Sequence, residues 1–248
     1  VSAHDNQTLW DKLAETMPQA DEKERMRLNR MAAALYMTCQ GSLFLLSGEE
    51  FARTKDGLED SYNAPIAINR LDWEQAWKNR DLVDYYRGLL ALRRQLPGLC
   101  DKSARAAERI SHVQKEKGAV SFVIDNRPWV PVCQKGETGD APELEGKAHK
   151  NRWQTLKIVY NSSREERPVT LDGEGWKVLC DWQDSWLWKT DRPAQGKMCI
   201  APQSVLILGQ DGNTAEAETI ETTEATEAAG TAEHQHRGEE TTWRKKAV

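Results

Sequence analysis

The sequence DEKERMRLNRMAAALYMTCQGSLFLLSGEE, residues 21–50, decides how the first part of the chain is interpreted. Asp21 and Glu24 have the spacing of a helix-capping box. The apolar side chains that follow at helical spacing are Leu28, Met31, Ala32, Leu35 and Cys39. They predict a helix over 21–39 that ends at Gly41. The uninterrupted apolar run over 42–46 is typical of a strand covered on both faces, so this stretch predicts an α/β unit.

The rest of the chain falls into three further patterns. A polar loop extends over 48–79, and a second helix over 81–96 ends at Pro97-Gly98. From 103 to 209, short apolar segments alternate with turn residues, which predicts an antiparallel β-sandwich. These segments are 119–124, 156–160, 169–171, 176–180 and 204–208. Residues 210–248 are rich in Glu, Thr and Ala and poor in large apolar side chains, so we predict a disordered tail.

Charge and composition exclude several classes of protein. With 34 Lys and Arg against 39 Asp and Glu the net charge is −5, which argues against a nucleic-acid partner. No apolar run approaches the roughly 20 residues of a membrane span, so no membrane partner is expected. The cysteines are Cys39, Cys100, Cys133, Cys180 and Cys199. They are far apart and form no C-x-x-C pair, so we expect isolated free thiols in the core and no metal site.

No cofactor is expected, and no residue pattern indicates calcium. The chain begins at Val1 without an initiator Met or a visible signal peptide. We interpret this as an incomplete chain, which leaves both a cytoplasmic and a secreted location open.

Acidic and polar groups follow two of the predicted strand ends. His4-Asp5-Asn6 brings an imidazole and a carboxylate out of the first end, and Ser47-Gly48-Glu49-Glu50 follows the second. Active-site groups of a (β/α)8 barrel lie at such ends, although a surface loop with a capping Asp also explains the first motif. Because adjacent side chains diverge, we expect one of the two glutamates to turn inward and the other to face solvent.

The long loop carries residue types suited to a sugar. Ser61-Tyr62-Asn63-Ala64-Pro65 and Asn69-Arg70-Leu71-Asp72-Trp73 combine aromatic faces with amide and carboxylate groups, as carbohydrate clefts do. An ordinary structured loop with a buried Trp explains the same types equally well.

In their order and separation, these segments resemble the α-amylase superfamily, glycoside hydrolase family 13, in its type I pullulanase form. The first is His4-Asp5-Asn6-Gln7-Thr8-Leu9-Trp10-Asp11-Lys12, and the second is Gly48-Glu49-Glu50-Phe51-Ala52-Arg53-Thr54-Lys55. The two loop motifs and Asp84-Tyr85-Tyr86-Arg87-Gly88-Leu89 continue the series. The resemblance implies an α/β plus all-β fold. It consists of the C-terminal part of a (β/α)8 barrel over 1–99, an antiparallel β-sandwich over 100–209 and the tail over 210–248.

The resemblance also implies a role for individual residues. Asp5 takes the place of the catalytic carboxylate that stabilises the transition state, and His4 takes the place of a histidine that binds the sugar. Asn63 and Asn69 are the further candidate substrate-binding residues. The nucleophile and the general acid belong to earlier barrel strands, so neither is assigned here and the chain is expected to be inactive alone. The family commonly has an acidic pair where this chain has Ile66-Ala67.

The implied activity is retaining hydrolysis of α-1,6-glucosidic branch linkages in pullulan, starch or glycogen, with an α-glucan as the partner. An isoamylase or a glycogen debranching enzyme is a neighbouring alternative, and a degenerate homologue that acts in assembly is another. A non-catalytic α-glucan-binding module is the third. Its candidate platform is Trp182, Trp186 and Trp188 with Trp153 and Trp176 nearby, although such residues also fill sandwich cores.

Overall fold

The computed structural model describes residues 6–127 and 152–212, and the part before residue 101 is helical. The helices are α1 Leu9–Thr16, α2 Glu22–Met37, α3 Ile66–Asn69, α4 Trp73–Lys78, α5 Arg80–Arg93 and α6 Pro97–Cys100. Single 3₁₀ turns occur at Glu49–Phe51, Ala106–Arg109 and Leu187–Lys189. The predictions for His4, Asp5, Cys133 and the tail beyond residue 212 concern residues outside the described ranges.

The two long helices predicted from apolar periodicity are confirmed as α2 and α5. Asp21 caps α2, since its carboxylate accepts a hydrogen bond from the backbone N–H of Glu24 at 2.7 Å. The helices pack against each other. Ala33 and Ala34 are fully buried in α2, and such small side chains let a neighbouring element approach closely.

The strand predicted over 42–46 is wrong for this structure. These residues form no strand, and Phe44 is 66% exposed. A strand requires a hydrogen-bonded neighbour for its backbone N–H and C=O groups, and no described segment pairs with this run. The apolar pattern predicted that this segment is covered on both faces, but the described residues leave Phe44 exposed.

The second part of the chain is mostly antiparallel sheet. The strands are β1 Ile110–Glu116, β2 Ala119–Asp125, β3 Trp153–Asn161, β4 Arg167–Thr170, β5 Trp176–Cys180, β6 Pro193–Ala194, β7 Lys197–Ile200 and β8 Ser204–Asp211. The large sheet has the order β1-β2-β3-β8-β5-β6, and β4 pairs with β7 in a small sheet. Each predicted apolar segment of this region overlaps a described strand, although Leu171 lies just beyond the end of β4.

The core has two layers, one on each face of the large sheet. Ile158 of β3 and Ile207 of β8 pack in the cluster that includes the α2 and α5 side chains. Their sequence neighbours Val159 and Leu206 pack on the other face, in the cluster that includes the small sheet. This alternation follows from the two-residue period of a strand. The large sheet and the small sheet therefore form a sandwich-like domain, and the helices cover the outer face of the large sheet.

Most of the described cysteines are not in the core, which corrects the expectation from the sequence. Cys39, Cys100 and Cys199 are exposed, and Cys180 alone of the described four is buried. Cys39 follows the end of α2, Cys100 is the last residue of α6, and Cys199 lies on β7 of the small sheet. Burial raises the pKa of the Cys180 thiol to about 12, so this group is not a reactive thiolate.

Arg93 connects the two parts of the helical layer. Its guanidinium donates hydrogen bonds to the backbone carbonyls of Met37, Cys39 (2.7 Å), Gly41 (2.7 Å) and Leu99 (2.9 Å). The side chain is buried, and this burial lowers its pKa. One buried cation thus fixes the chain that leaves α2 to the end of α5.

Candidate functional site

The candidate site is the surface where the segment after His4 and Asp5 meets the loop over 48–79. Asp11 of α1 is buried, and its hydrogen bonds join the two segments. We call these contacts the Asp11 junction. Its Oδ1 accepts a hydrogen bond from the Thr54 hydroxyl at 2.5 Å, and its Oδ2 accepts one from the Lys55 backbone N–H at 2.8 Å. Gln7 adds a longer contact from Nε2 to the Gly57 carbonyl at 3.4 Å. The chain that follows residue 5 is therefore held against the loop.

The start of α1 has a local cause that the sequence could have revealed. Thr8 and Asp11 match the first and last positions of a capping box. The Thr8 hydroxyl accepts a hydrogen bond from the Asp11 backbone N–H at 3.2 Å, so Thr8 is the cap. The Asp11 carboxylate bonds the loop, so its tertiary role did not follow from this spacing.

The loop begins with a turn that requires glycine. Gly48 has a φ of 97°, which strains any side chain. A Cβ at this position would lie 2.6 Å from Cδ of Arg53 and 3.1 Å from the Phe51 ring. The Gly48 carbonyl accepts a hydrogen bond from the Arg53 backbone N–H at 2.9 Å. The turn therefore aims the Arg53 side chain into the loop.

Arg53 closes the loop on itself. Its Nη1 donates to the Ser47 carbonyl at 3.0 Å, and its Nη2 donates to the Asn69 carbonyl. The Asn69 amide is in turn paired with Ser61, since Oδ1 accepts from the Ser61 hydroxyl at 2.8 Å and Nδ2 donates to the Ser61 carbonyl at 2.6 Å. Asn69 thus shapes the loop, while Asn63 is exposed. Their contact with a sugar stays a prediction.

The two adjacent glutamates diverge, as expected from their spacing. Glu49 is buried, while Glu50 is half-buried. The Glu50 carboxylate accepts a hydrogen bond from the Gly48 backbone N–H at 2.9 Å and so closes the turn. The pair therefore does not present two carboxylates to one substrate bond.

Glu49 enters a buried polar group beneath the loop. The Tyr86 hydroxyl lies 3.5 Å from Oε1 of Glu49 and donates to Oδ1 of Asn29 at 2.7 Å. Burial raises the pKa of Tyr86 well above its usual value, and electrostatic interactions with Tyr36 and Glu49 raise it further. Burial and the Glu49 charge also raise the pKa of Tyr36. Both hydroxyls therefore stay protonated and remain hydrogen-bond donors near the carboxylate.

Above this polar group, the loop exposes large apolar side chains. Tyr62 is 84% exposed, Trp73 70% and Trp77 74%. The Trp73 ring packs on Phe51 with ring centroids 6.2 Å apart, and the Arg80 guanidinium lies 5.7 Å from the centre of the Trp77 ring. We call Tyr62, Trp73 and Trp77 the loop aromatics. Exposed rings beside paired polar groups are the chemistry of a carbohydrate surface, since sugar ring faces pack on aromatic rings.

The tryptophans of the sheet region divide into two sets. Trp153 and Trp176 are buried in the core, as the filler interpretation predicted. Trp186 and Trp188 are half-buried and stack on each other with centroids 6.0 Å apart. Lys189 lies over both rings, at 4.1 Å and 5.1 Å from their centres. These two rings are therefore already engaged within the chain.

Within residues 6–127 and 152–212, no group of three His, Cys, Asp or Glu side chains is placed to hold a metal ion. In the same ranges, no helix has the length and apolar character needed to cross a membrane.

Comparison with known proteins shows which proteins the chain resembles. Residues 142–184, which include β3, β4 and β5, match the family model described as the all-beta domain of pullulanase. Pullulanase from Bacillus subtilis is 39% identical over 109 residues, which cover 44% of this chain and 15% of that protein. This chain is similar to pullulanases over part of its length.

Solved pullulanase structures share the fold over a larger part of the chain. Pullulanase from Bacillus acidopullulyticus superposes with a TM-score of 0.69 at 26% identity, covering 85% of this chain and 24% of that one. Pullulanase from Paenibacillus barengoltzii in complex with maltohexaose and alpha-cyclodextrin superposes with a TM-score of 0.63 at 28% identity, covering 84% of this chain and 29% of that one. The chain thus spans less than a third of each of these pullulanases.

The Asp11 junction gives a first testable prediction. In Asp11→Ala, both carboxylate acceptors are removed, so the Thr54 hydroxyl and the buried Lys55 N–H lose these hydrogen bonds. We expect the free energy of unfolding to fall by about 1–3 kcal/mol, the usual penalty for a buried group left unsatisfied. Urea denaturation measures this change. The matched control is Asp60→Ala, because Asp60 is an exposed aspartate of the same loop. Equal midpoints for the two variants would contradict the role of Asp11.

Proposed function

We propose that this chain forms one side of the glucan-binding site of a debranching glycoside hydrolase. The reaction is retaining hydrolysis of α-1,6-glucosidic linkages in pullulan, starch or glycogen. The observation that carries the proposal is the Asp11 junction, which holds α1 against Thr54 and Lys55 of the loop that also carries the loop aromatics. In this proposal, the groups that precede α1 in the chain and the groups of the loop contact the same glucan.

Each candidate residue has a separate role in this proposal. Asp5 stabilises the transition state through hydrogen bonds to ring hydroxyls, and His4 binds the sugar next to the cleaved bond. Asn63 is exposed and contacts substrate directly, whereas Asn69 acts chiefly by holding the loop through Ser61. Ile66 is 86% exposed in the same loop, where the family commonly has an acidic residue, so substrate contacts differ there.

The same proposal places residues 1–99 in a (β/α)8 barrel. The apolar run over 42–46 then becomes a strand when neighbouring barrel strands pair with it, which would cover the exposed Phe44. The nucleophile and the general acid come from other strands of that barrel, about 5–5.5 Å apart across the scissile bond. By itself, the chain is therefore inactive. Residues 100–209 form the adjoining β-sandwich domain.

Reducing-sugar release from pullulan tests the proposal. The purified 248-residue chain should release none, whereas a longer chain that adds the upstream barrel strands should hydrolyse pullulan. In the longer chain, Asp5→Asn should lower kcat by about a hundredfold or more, because several kcal/mol of transition-state stabilisation are lost. Hydrolysis by the purified chain, or full activity of the Asp5→Asn variant, would be incompatible with the proposed roles.

The exposure of the loop aromatics favours one alternative, a non-catalytic α-glucan-binding module. Binding requires the rings and hydrogen-bonding groups alone, without two catalytic carboxylates. The longer chain separates the alternatives, since a binding module would retain pullulan on an affinity gel and release no sugar from it.

A further inference from the structure

A groove of about 640 Å³ runs along the first half of α2 and shares no lining residue with the loop aromatics. One wall is the exposed side of α2, and the other is Trp182 in the turn after β5. The volume lies in the range of about 300–1,000 Å³ that is typical of small-molecule sites.

Two arginines of α2 are fixed in this groove by stacking. The Arg27 guanidinium lies 4.4 Å from the centre of the Trp182 ring, and the Arg30 guanidinium lies 5.4 Å from that of Tyr85. In the described part of the chain, the Nε–H groups of both are buried without a hydrogen-bond acceptor. Stacking therefore orients the two guanidinium planes, while hydrogen bonds to carboxylates do not occupy them.

The charges that line the groove indicate a neutral ligand. Lys23, Arg27 and Arg30 are cations, but Asp21 and Glu22 line the same groove. An anion would be attracted by the first set and repelled by the second. A sugar uses both sets, because each hydroxyl both donates and accepts hydrogen bonds, and its apolar ring face packs on an indole.

We propose that this groove is an additional binding site for a segment of α-glucan. A sugar ring packs against the Trp182–Arg27 stack, Arg27 and Arg30 donate to its hydroxyls, and Asp21 and Glu22 accept from them. The choice of an α-glucan as the neutral sugar rests on the proposed function. The site itself rests on the stacked arginines and on the mixed charges.

Isothermal titration calorimetry of the full 248-residue chain with maltoheptaose tests the site. Trp182→Ala should weaken the binding at least tenfold. Since this change could also disturb folding, the double variant Arg27→Gln with Arg30→Gln provides a second test. It keeps most of the length of both side chains and should weaken binding at least fivefold. The matched control is Arg94→Gln, because Arg94 is an exposed arginine that does not line the groove, and this change should leave the affinity unchanged.

Four results would overturn the inference. The first is no heat of binding at millimolar maltoheptaose. The second is an unchanged affinity in the double arginine variant. The third is binding of inorganic phosphate that displaces maltoheptaose. The inference would also be overturned if Trp73→Ala abolished binding while Trp182→Ala left it unchanged. That result would place the glucan on the loop surface. That outcome leaves the proposed function intact, because the proposed function is tested separately by the release of sugar from pullulan.

Discussion

Arg93→Met should lower the free energy of unfolding by about 4 kcal/mol. Met keeps much of the apolar volume but removes the donors that serve four backbone carbonyls. The bonds to Met37 and Leu99 are buried, so these two carbonyls cannot turn to water. Each buried acceptor left unsatisfied costs roughly 1–3 kcal/mol.

Urea denaturation followed by far-UV circular dichroism measures this loss. Arg94→Met is the matched control, since Arg94 is the next residue and is exposed. We expect it to change stability by less than about 0.5 kcal/mol. Arg93→Lys should recover part of the loss, because an ammonium has three donors but lacks the planar fork. If Arg93→Met were as stable as Arg94→Met, the guanidinium would not hold α2 to α5.

Asp101→Asn should cost about 3 kcal/mol or more. Oδ2 of Asp101 lies 2.6 Å from Nε of Arg109, and both side chains are nearly inaccessible, at 7% and 5% exposure. Removing one partner of a buried ion pair typically costs about 3–5 kcal/mol. Arg109 cannot move to water without also leaving the carbonyls of Asp125 and Arg127, to which it donates at 2.9 Å and 2.7 Å.

Thermal unfolding compares the buried Asp101–Arg109 pair with the exposed Arg105–Glu108 pair nearby. Glu108 accepts from Arg105 at 2.8 Å, but both side chains are more than half exposed. Glu108→Gln should therefore leave the melting temperature unchanged, because exposed ion pairs contribute little. A similar melting temperature for Asp101→Asn and Glu108→Gln would show that burial does not strengthen the first pair.

Periodicity and apolar runs predicted the elements whose burial lies within the described residues. The helices α2 and α5 and the strands β3, β5 and β8 were found because their side chains face a core. In contrast, β1 was missed, since Ile110 and Val113 are exposed and its register with β2 is interrupted between Ser111 and Gln114. The run over 42–46 failed for the opposite reason, because its apolar side chains lack a strand partner here.

The candidate site was predicted only in part. Short motifs located the loop and the residues before α1, and they indicated the family. The contacts that hold these segments together were not predictable, because Asp11 and Thr54 are 43 residues apart and Arg53 bonds backbone carbonyls. A side chain that donates to backbone carbonyls needs no particular residue type as its partner, so the sequence does not reveal the contact. The same applies to Arg93.

The order of strands in the large sheet has a consequence for biosynthesis. β8 lies between β3 and β5, yet it is the last strand of the sheet to be translated. Before residues 204–211 leave the ribosome, the nascent chain exposes one edge of β3 and one edge of β5 with no strand between them. These edges are sites for pairing with other chains. Closure of the sheet is therefore a late, long-range event, so premature termination upstream of residue 204 should yield aggregating products.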